Sequence, residues 1–256
     1  MRTKTLCLDN RNVHYGPQVL VNAQAPVVLP VDEAQLVAPD DRYPDVKMEM
    51  RAASMYTQLI NSLELWQHIV PVSAYRCRRQ QADIYEESAR VNGTDFTSAY
   101  VAPPGCSEHQ TGLAVDVALK RKNIDFIRPD FPDRGAGHLF RQKAARYGFI
   151  ERYPKDKHHI TGIAHEPWHF RYVGFPHSKI IEQKGLTLEE YAAFLRDFPY
   201  RERHMAFDHN GTKVEIAYAR RDPGPCTTLQ VPAGVPYQIS GDNCSGFILT
   251  LWRMQA

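Results

Sequence analysis

From Met48 onward apolar residues recur at helical spacing. Met48, Ala52, Met55, Leu59, Leu63 and Trp66 are separated by 4, 3, 4, 4 and 3 positions, which sets them on one face of a helix. Ile69 to Tyr75, broken at Pro71, reads as a short strand. Arg78 to Asn92 reads as a second helix stopped by Gly93, a residue able to close the last turn in a left-handed conformation. The period then becomes 2: Leu113, Val115, Val117 and Leu119 alternate with Ala114, Asp116 and Ala118. This predicts a strand with one face on a core and Asp116 on the opposite face. Lys120 to Gly137, rich in Pro, Asp, Arg and Gly, reads as a long loop that would supply pocket walls, since long loops in compact domains are commonly functional. His138–Tyr147 is expected to be a helix ended by Gly148, Trp168–Val173 a second strand, and Pro176–Lys184 another helix. Thr187 and Glu190 form a capping-box pair that opens a last amphipathic helix through Phe198.

The two ends have a different texture. Five prolines between residues 17 and 46 (Pro17, Pro26, Pro30, Pro39 and Pro44) predict extended chain over a surface, because each removes a backbone donor and fixes φ. After Pro199, Asn210-Gly211 sits between Met205–Asp208 and the alternating Val214, Ile216 and Tyr218, a hairpin signal. Short strands are expected near Leu229–Val231, Tyr237–Ile239 and Phe247–Leu251. The expected organisation is a catalytic domain over residues 1–200, with 1–46 as an extended arm, followed by a small β-rich subdomain over 201–256.

Composition narrows the function. With 31 Lys+Arg against 29 Asp+Glu the formal charge is +2, too small a field for a nucleic-acid binder that relies on many phosphate contacts. At 43% hydrophobic and 23% charged the chain is an ordinary globular one. The five cysteines include no CxxC pair, against both a disulfide scaffold and a cysteine-rich zinc module. No apolar run is long enough for a membrane span or an amino-terminal signal, so a cytoplasmic protein is expected.

Two segments carry the chemistry: Ser107-Glu-His109-Gln-Thr-Gly112-Leu-Ala-Val-Asp116 and His165-Glu166-Pro167-Trp168-His169. The second spells H-E-x-x-H, a metal motif that works only on a helix, where the two histidines share a face. Pro167 in its middle costs a helix about 3 kcal/mol and pushes Glu166 to extended geometry. Glu166 is therefore read as a loop residue at the mouth of a strand, His169 as a ligand on that strand, and His165 as no ligand. His109 and Asp116 are seven apart, which would place them on opposite faces of one regular strand. Gly112 permits a turn between them, so that His109 approaches from a loop and Asp116 from the strand. Two imidazoles and a carboxylate, with Glu166 close by, suit a catalytic Zn2+ site with a position left open.

At these residues the chain resembles the VanY-type D-Ala-D-Ala carboxypeptidases, zinc peptidases with the pattern S-x-H-x-x-G-x-A-x-D followed by E-x-x-W-H or a close variant. Ser73-Ala-Tyr75-Arg76 followed by Gln81 is similar to the family's S-G-Y-R-S-x-x-x-Q, with Ala74 and Cys77 as departures. The resemblance runs from about Val19 to Gly185. It implies an α+β fold of the hedgehog/D,D-peptidase type, with a central, mainly antiparallel sheet flanked by helices. It implies His109, Asp116 and His169 as zinc ligands, Glu166 as the catalytic base that passes a proton to the leaving amine, and Arg76 as the cation that meets the oxyanion. Ser107 and Gln81, with Tyr100, would hold the carboxylate end of a peptide ending in D-Ala-D-Ala, and Trp168 would be a site wall. Without an amino-terminal signal the chain is most similar to the cytoplasmic VanXY-type bifunctional enzymes of vancomycin resistance. These cleave the D-Ala-D-Ala dipeptide and trim the terminal D-Ala of the precursor pentapeptide. The alternatives are a wall-modifying L,D- or D,D-carboxypeptidase or endopeptidase with another substrate, and a non-catalytic binding module that keeps the zinc site.

Overall fold

The computed structural model describes residues 2–209 and 211–253, so Asn210 of the expected hairpin dipeptide lies outside the described residues. The part expected to be arm opens with a strand, β1 (Thr3–Asp9), and continues with little regular structure to β2 (Leu36–Val37). Next come β3 (Met48–Glu49), α1 (Met50–Ser62), β4 (Ile69–Ser73), α2 (Arg78–Asn92), α3 (Thr94–Tyr100) and β5 (Ala114–Leu119). The chain proceeds through α4 (Gly135–Ala144), β6 (Phe149–Glu151), α5 (His158–Thr161), β7 (His169–Tyr172), α6 (His177–Lys184) and α7 (Leu188–Leu195). It ends in β8 (Met205–His209), β9 (Thr212–Arg220), β10 (Cys226–Pro232), β11 (Tyr237–Gly241) and β12 (Gly246–Arg253).

These elements form two compact units, Val21–Thr187 and Met1–Leu20 with Leu188–Ala256. This division differs from the boundary expected at residue 200 and from the assignment of residues 1–20 to the arm of the first domain. The cause is strand pairing across the length of the chain: β1 runs antiparallel to β10, from Thr3 opposite Pro232 to Asp9 opposite Cys226. Leu6 and Leu8 of β1 pack on the cluster of Val13, Ala219, Leu229 and Phe247. In the same unit β8, β9, β12 and β11 form an antiparallel sheet.

The unit Val21–Thr187 is an α+β structure around an antiparallel sheet of order β4-β5-β7-β6. Helix α1 begins where the Glu49 carboxylate accepts hydrogen bonds from the backbone N–H groups of Arg51 and Ala52, both at 3.0 Å. Its buried face is Ala52, Ala53, Tyr56, Leu59 and Ile60, while Met48 belongs to β3 and Met55 and Leu63 are only half-buried. The apolar stripe read from sequence has Ala52 and Leu59 on the buried face but omits Tyr56, which turns inward against Phe140 and Phe149 at 6.2 and 6.3 Å. Phe140 packs in turn on Phe170 of β7 at 4.8 Å, tying the helices to one side of the sheet. Strand β5 is buried on both faces, including Asp116, which is 5% exposed. The alternation correctly marked a strand, but its polar face is covered and not open to solvent.

Candidate active site

Asp116 lies in β5 directly opposite His169, the first residue of β7, so the two side chains leave the sheet on one face. His169 Nδ1 is 2.8 Å from Asp116 Oδ1. His109 comes from a 3-10 turn, Glu108–Thr111, which Gly112 closes at φ 71°. A side chain at position 112 would meet Leu36 Cδ2 at 2.8 Å and the Glu49 backbone nitrogen at 3.0 Å. The glycine therefore allows both the left-handed turn and the close approach of β3. The ring of His109 places Nδ1 2.5 Å from the Ala74 carbonyl oxygen and Nε2 3.1 Å from Asp116 Oδ2. One ligand atom from each of His109, Asp116 and His169 lies within 4.8 Å of the others, and all three residues are buried.

Arg76 sits between β4 and α2. Its backbone N–H donates to His109 O at 3.2 Å, and its Nη2 lies 3.4 Å from Asp116 Oδ2. Gln80 Oε1 accepts from Cys77 N at 2.8 Å, so the departure from serine at 77 still leaves a capped start for α2. Glu166 is on the loop before β7, with Oε2 3.8 Å from His169 Nδ1. Arg76, Gln81, Tyr100, Ser107, Glu166 and Trp168 line the same cleft as the three-residue cluster. Gln81 Nε2 donates to Ala102 O at 2.7 Å, and Arg128 lies 4.8 Å over the Tyr100 ring. Phe126 and Ile127 of the long loop complete the wall, as expected of that segment. His165 falls outside: its residues form no helix, and its Nε2 pairs with Glu151 Oε1 at 3.1 Å.

Among protein groups alone, burial holds His109 down to about 4, with Arg76 reinforcing the effect, so the ring is neutral and has a lone pair to offer. Burial also opposes charge on His169, but the hydrogen bond to Asp116 and the nearby carboxylate of Glu108 outweigh it and lift the ring to about 9. The Asp116 carboxyl is held far below the usual range: burial opposes this, and the two imidazoles overcome it. Burial raises Glu166 to about 8, which suits a group that exchanges a proton near neutrality. Two imidazole nitrogens and a carboxylate oxygen, converging at a cleft, are the donor set of a borderline divalent cation. In such a centre a cation takes the place of the proton that Asp116 draws onto His169.

Two further neighbours of the centre lie outside the residues that the motifs mark. Tyr153 lies 5.0 Å from His169, ring to ring. Glu108 is buried against Arg152 and Arg171 at 2.7 and 2.6 Å. Glu108 stands inside the first motif, where a carboxylate beside His109 was a visible signal, but its arginine partners are far away in sequence.

Residues 45–175 match the family model described as VanY: D-alanyl-D-alanine carboxypeptidase. Over 177 residues, 69% of this chain and 93% of the relative, the sequence is 44% identical to the bifunctional D-Ala-D-Ala dipeptidase and D-Ala-D-Ala carboxypeptidase VanXYC of Enterococcus gallinarum. The chain belongs to the VanY family. It is therefore one of a family of hydrolytic peptidases. Among solved structures, that of the vancomycin-resistance D,D-dipeptidase VanXYg, in complex with a D-Ala-D-Ala phosphinate analog, aligns with a TM-score of 0.95 and 43% identity, over 99% of this chain and 100% of that one. A mutant of the D,D-pentapeptidase VanY from a VanB-type resistance cassette, in complex with Zn(II), aligns with a TM-score of 0.53 and 29% identity, over 68% of this chain and 98% of that one. Among the described residues no helix is long and apolar enough to cross a membrane.

Proposed function

We propose that this VanY-family protein is a zinc D,D-peptidase that cleaves the D-Ala-D-Ala dipeptide and removes the terminal D-Ala of the peptidoglycan-precursor pentapeptide. By depleting D-Ala-D-Ala ends it would confer resistance to glycopeptides such as vancomycin. The observation that carries this reading is the convergence of His109, Asp116 and His169 with Glu166 and Arg76 in one buried cleft. Its likeness over nearly the whole chain to an enzyme that holds a D-Ala-D-Ala phosphinate supports the substrate class. The unit Val21–Thr187 would carry the chemistry, and the cytoplasm, where the family resemblance places these substrates, would be its location.

His109 through Nε2, His169 through Nδ1 and Asp116 would hold the zinc. When bound, zinc supplies a Lewis acid and allows water to lose a proton near pH 7. Glu166 would take a proton from the attacking water and deliver it to the leaving amine. Arg76 meets the negative charge that develops on the scissile carbonyl oxygen; its buried Nε has no partner among the described residues and is available to donate. Losing one such donor costs about 3–4 kcal/mol in the transition state. Ser107 and the second amide hydrogen of Gln81 hold the substrate carboxylate without adding charge, and Tyr100 and Trp168 form walls.

Glu166→Ala tests the mechanism. The variant should keep its zinc while release of D-Ala from the dipeptide and from the muramyl pentapeptide, assayed side by side, falls roughly 10²–10⁴-fold. Turnover of both substrates at the wild-type rate would refute the role of Glu166. Expression of wild type, but not of the variant, should raise the vancomycin tolerance of a susceptible host.

A further inference from the structure

Glu108 stands between Ser107 and His109, two residues of the cleft wall, but is itself no part of that wall. Its Oε1 accepts from Arg152 Nε at 2.7 Å and from Arg171 Nη1 at 2.6 Å, and all three side chains are fully buried. Its Oε2 is buried with no hydrogen bond among the described residues, and so is Nε2 of His169. These two atoms face each other at 3.6 Å. A buried donor and a buried acceptor that lack other partners are each costly to leave unpaired, and a few tenths of an ångström separate this pair from a hydrogen bond.

We propose that Glu108 is a positioning residue of the metal centre: it accepts the Nε2–H of His169, so that the lone pair of that ring resides on Nδ1 and points at the cluster. This rests on the reading of His169 as a metal ligand. The opposite tautomer would set a nitrogen lone pair against a carboxylate in a buried place. The sheet provides the anchor. His169 and Arg171 are two apart on β7 and share a face, and Arg152, just past β6, donates its backbone N–H to His169 O at 3.1 Å. The strand that presents the ligand thus also presents a cation that clamps the carboxylate orienting it. Two guanidinium groups occupy Oε1 and leave Oε2 to the imidazole. His109 is held in the complementary way, by the Ala74 carbonyl on its Nδ1, so the two rings carry their protons on different nitrogens. Hydrogen-bond partners of this kind orient metal-binding histidines and sharpen metal affinity.

The first test needs no substitution. In the zinc-loaded wild-type protein with ¹⁵N-labelled histidine, NMR should show His169 protonated on Nε2 and His109 on Nδ1; a His169 proton on Nδ1 overturns the proposal. The second uses Glu108→Gln, whose amide can satisfy the arginines or the imidazole with its oxygen, but not both. Its zinc dissociation constant, measured by chelator competition, should rise about 10–100-fold. Affinity within threefold of wild type in a folded E108Q protein defeats the assignment, and if E108Q does not fold the wild-type spectrum decides. Failure of the metal-centre reading is separable, because then wild type itself would bind no zinc at His109 and His169.

Discussion

Asp116 touches both imidazoles of the centre and the guanidinium of Arg76. Replacing it by asparagine keeps the shape and removes the charge. Asp116→Asn should lower zinc affinity by more than the roughly 10–100-fold that a partner of a ligand is worth, as measured by chelator competition. That this residue, His109 and His169 come together was legible in the sequence, because few side-chain types can share a metal and because Pro167 ruled out the helical reading of the second motif. Glu108 was not legible in the same way. Its meaning depends on Arg152 and Arg171, which meet it only when β6 and β7 pair.

At the scale of elements, the turn from His109 to Gly112 decides whether a loop histidine reaches a strand carboxylate. Gly112→Ala would force a side chain into a left-handed position and against Leu36 and Glu49. The left-handed conformation alone should cost about 1–2 kcal/mol, seen as a lower urea midpoint, with a weaker hold on zinc. β5 and β7 were legible from alternation and from aromatic and β-branched content. β6, with three residues, was too short to show a period, and α3 and α5 were also missed. The buried face of α1 was legible at Ala52 and Leu59 and missed at Tyr56, an aromatic with a polar tip that is buried deeper than Met55.

At the scale of the whole molecule, pH will act on stability through His177, which is 1% exposed and held at about 3 by burial. An unfolded histidine titrates near 6.5. Between these values the unfolded chain binds a proton that the folded chain refuses, so the contribution is present above pH 6.5 and lost as pH falls toward 3. The slope approaches 1.4 kcal/mol per pH unit at most. His177→Gln should flatten that part of the stability profile in urea unfolding from pH 7 to 4, and an unchanged slope would show that His177 does not set it.

The sequence by itself determined the residue types of the three-residue cluster, the strand that bears Asp116, the family and thus the reaction class, because these depend on side-chain chemistry and short-range spacing. Tertiary structure alone decided the rest. It placed Asp116 opposite His169, brought Glu108 to two arginines, and joined β1 to β10 so that the ends of the chain share one unit. Pairing register and burial are properties of segments remote in sequence, and local pattern carries no record of which remote partner a strand or a charge will meet.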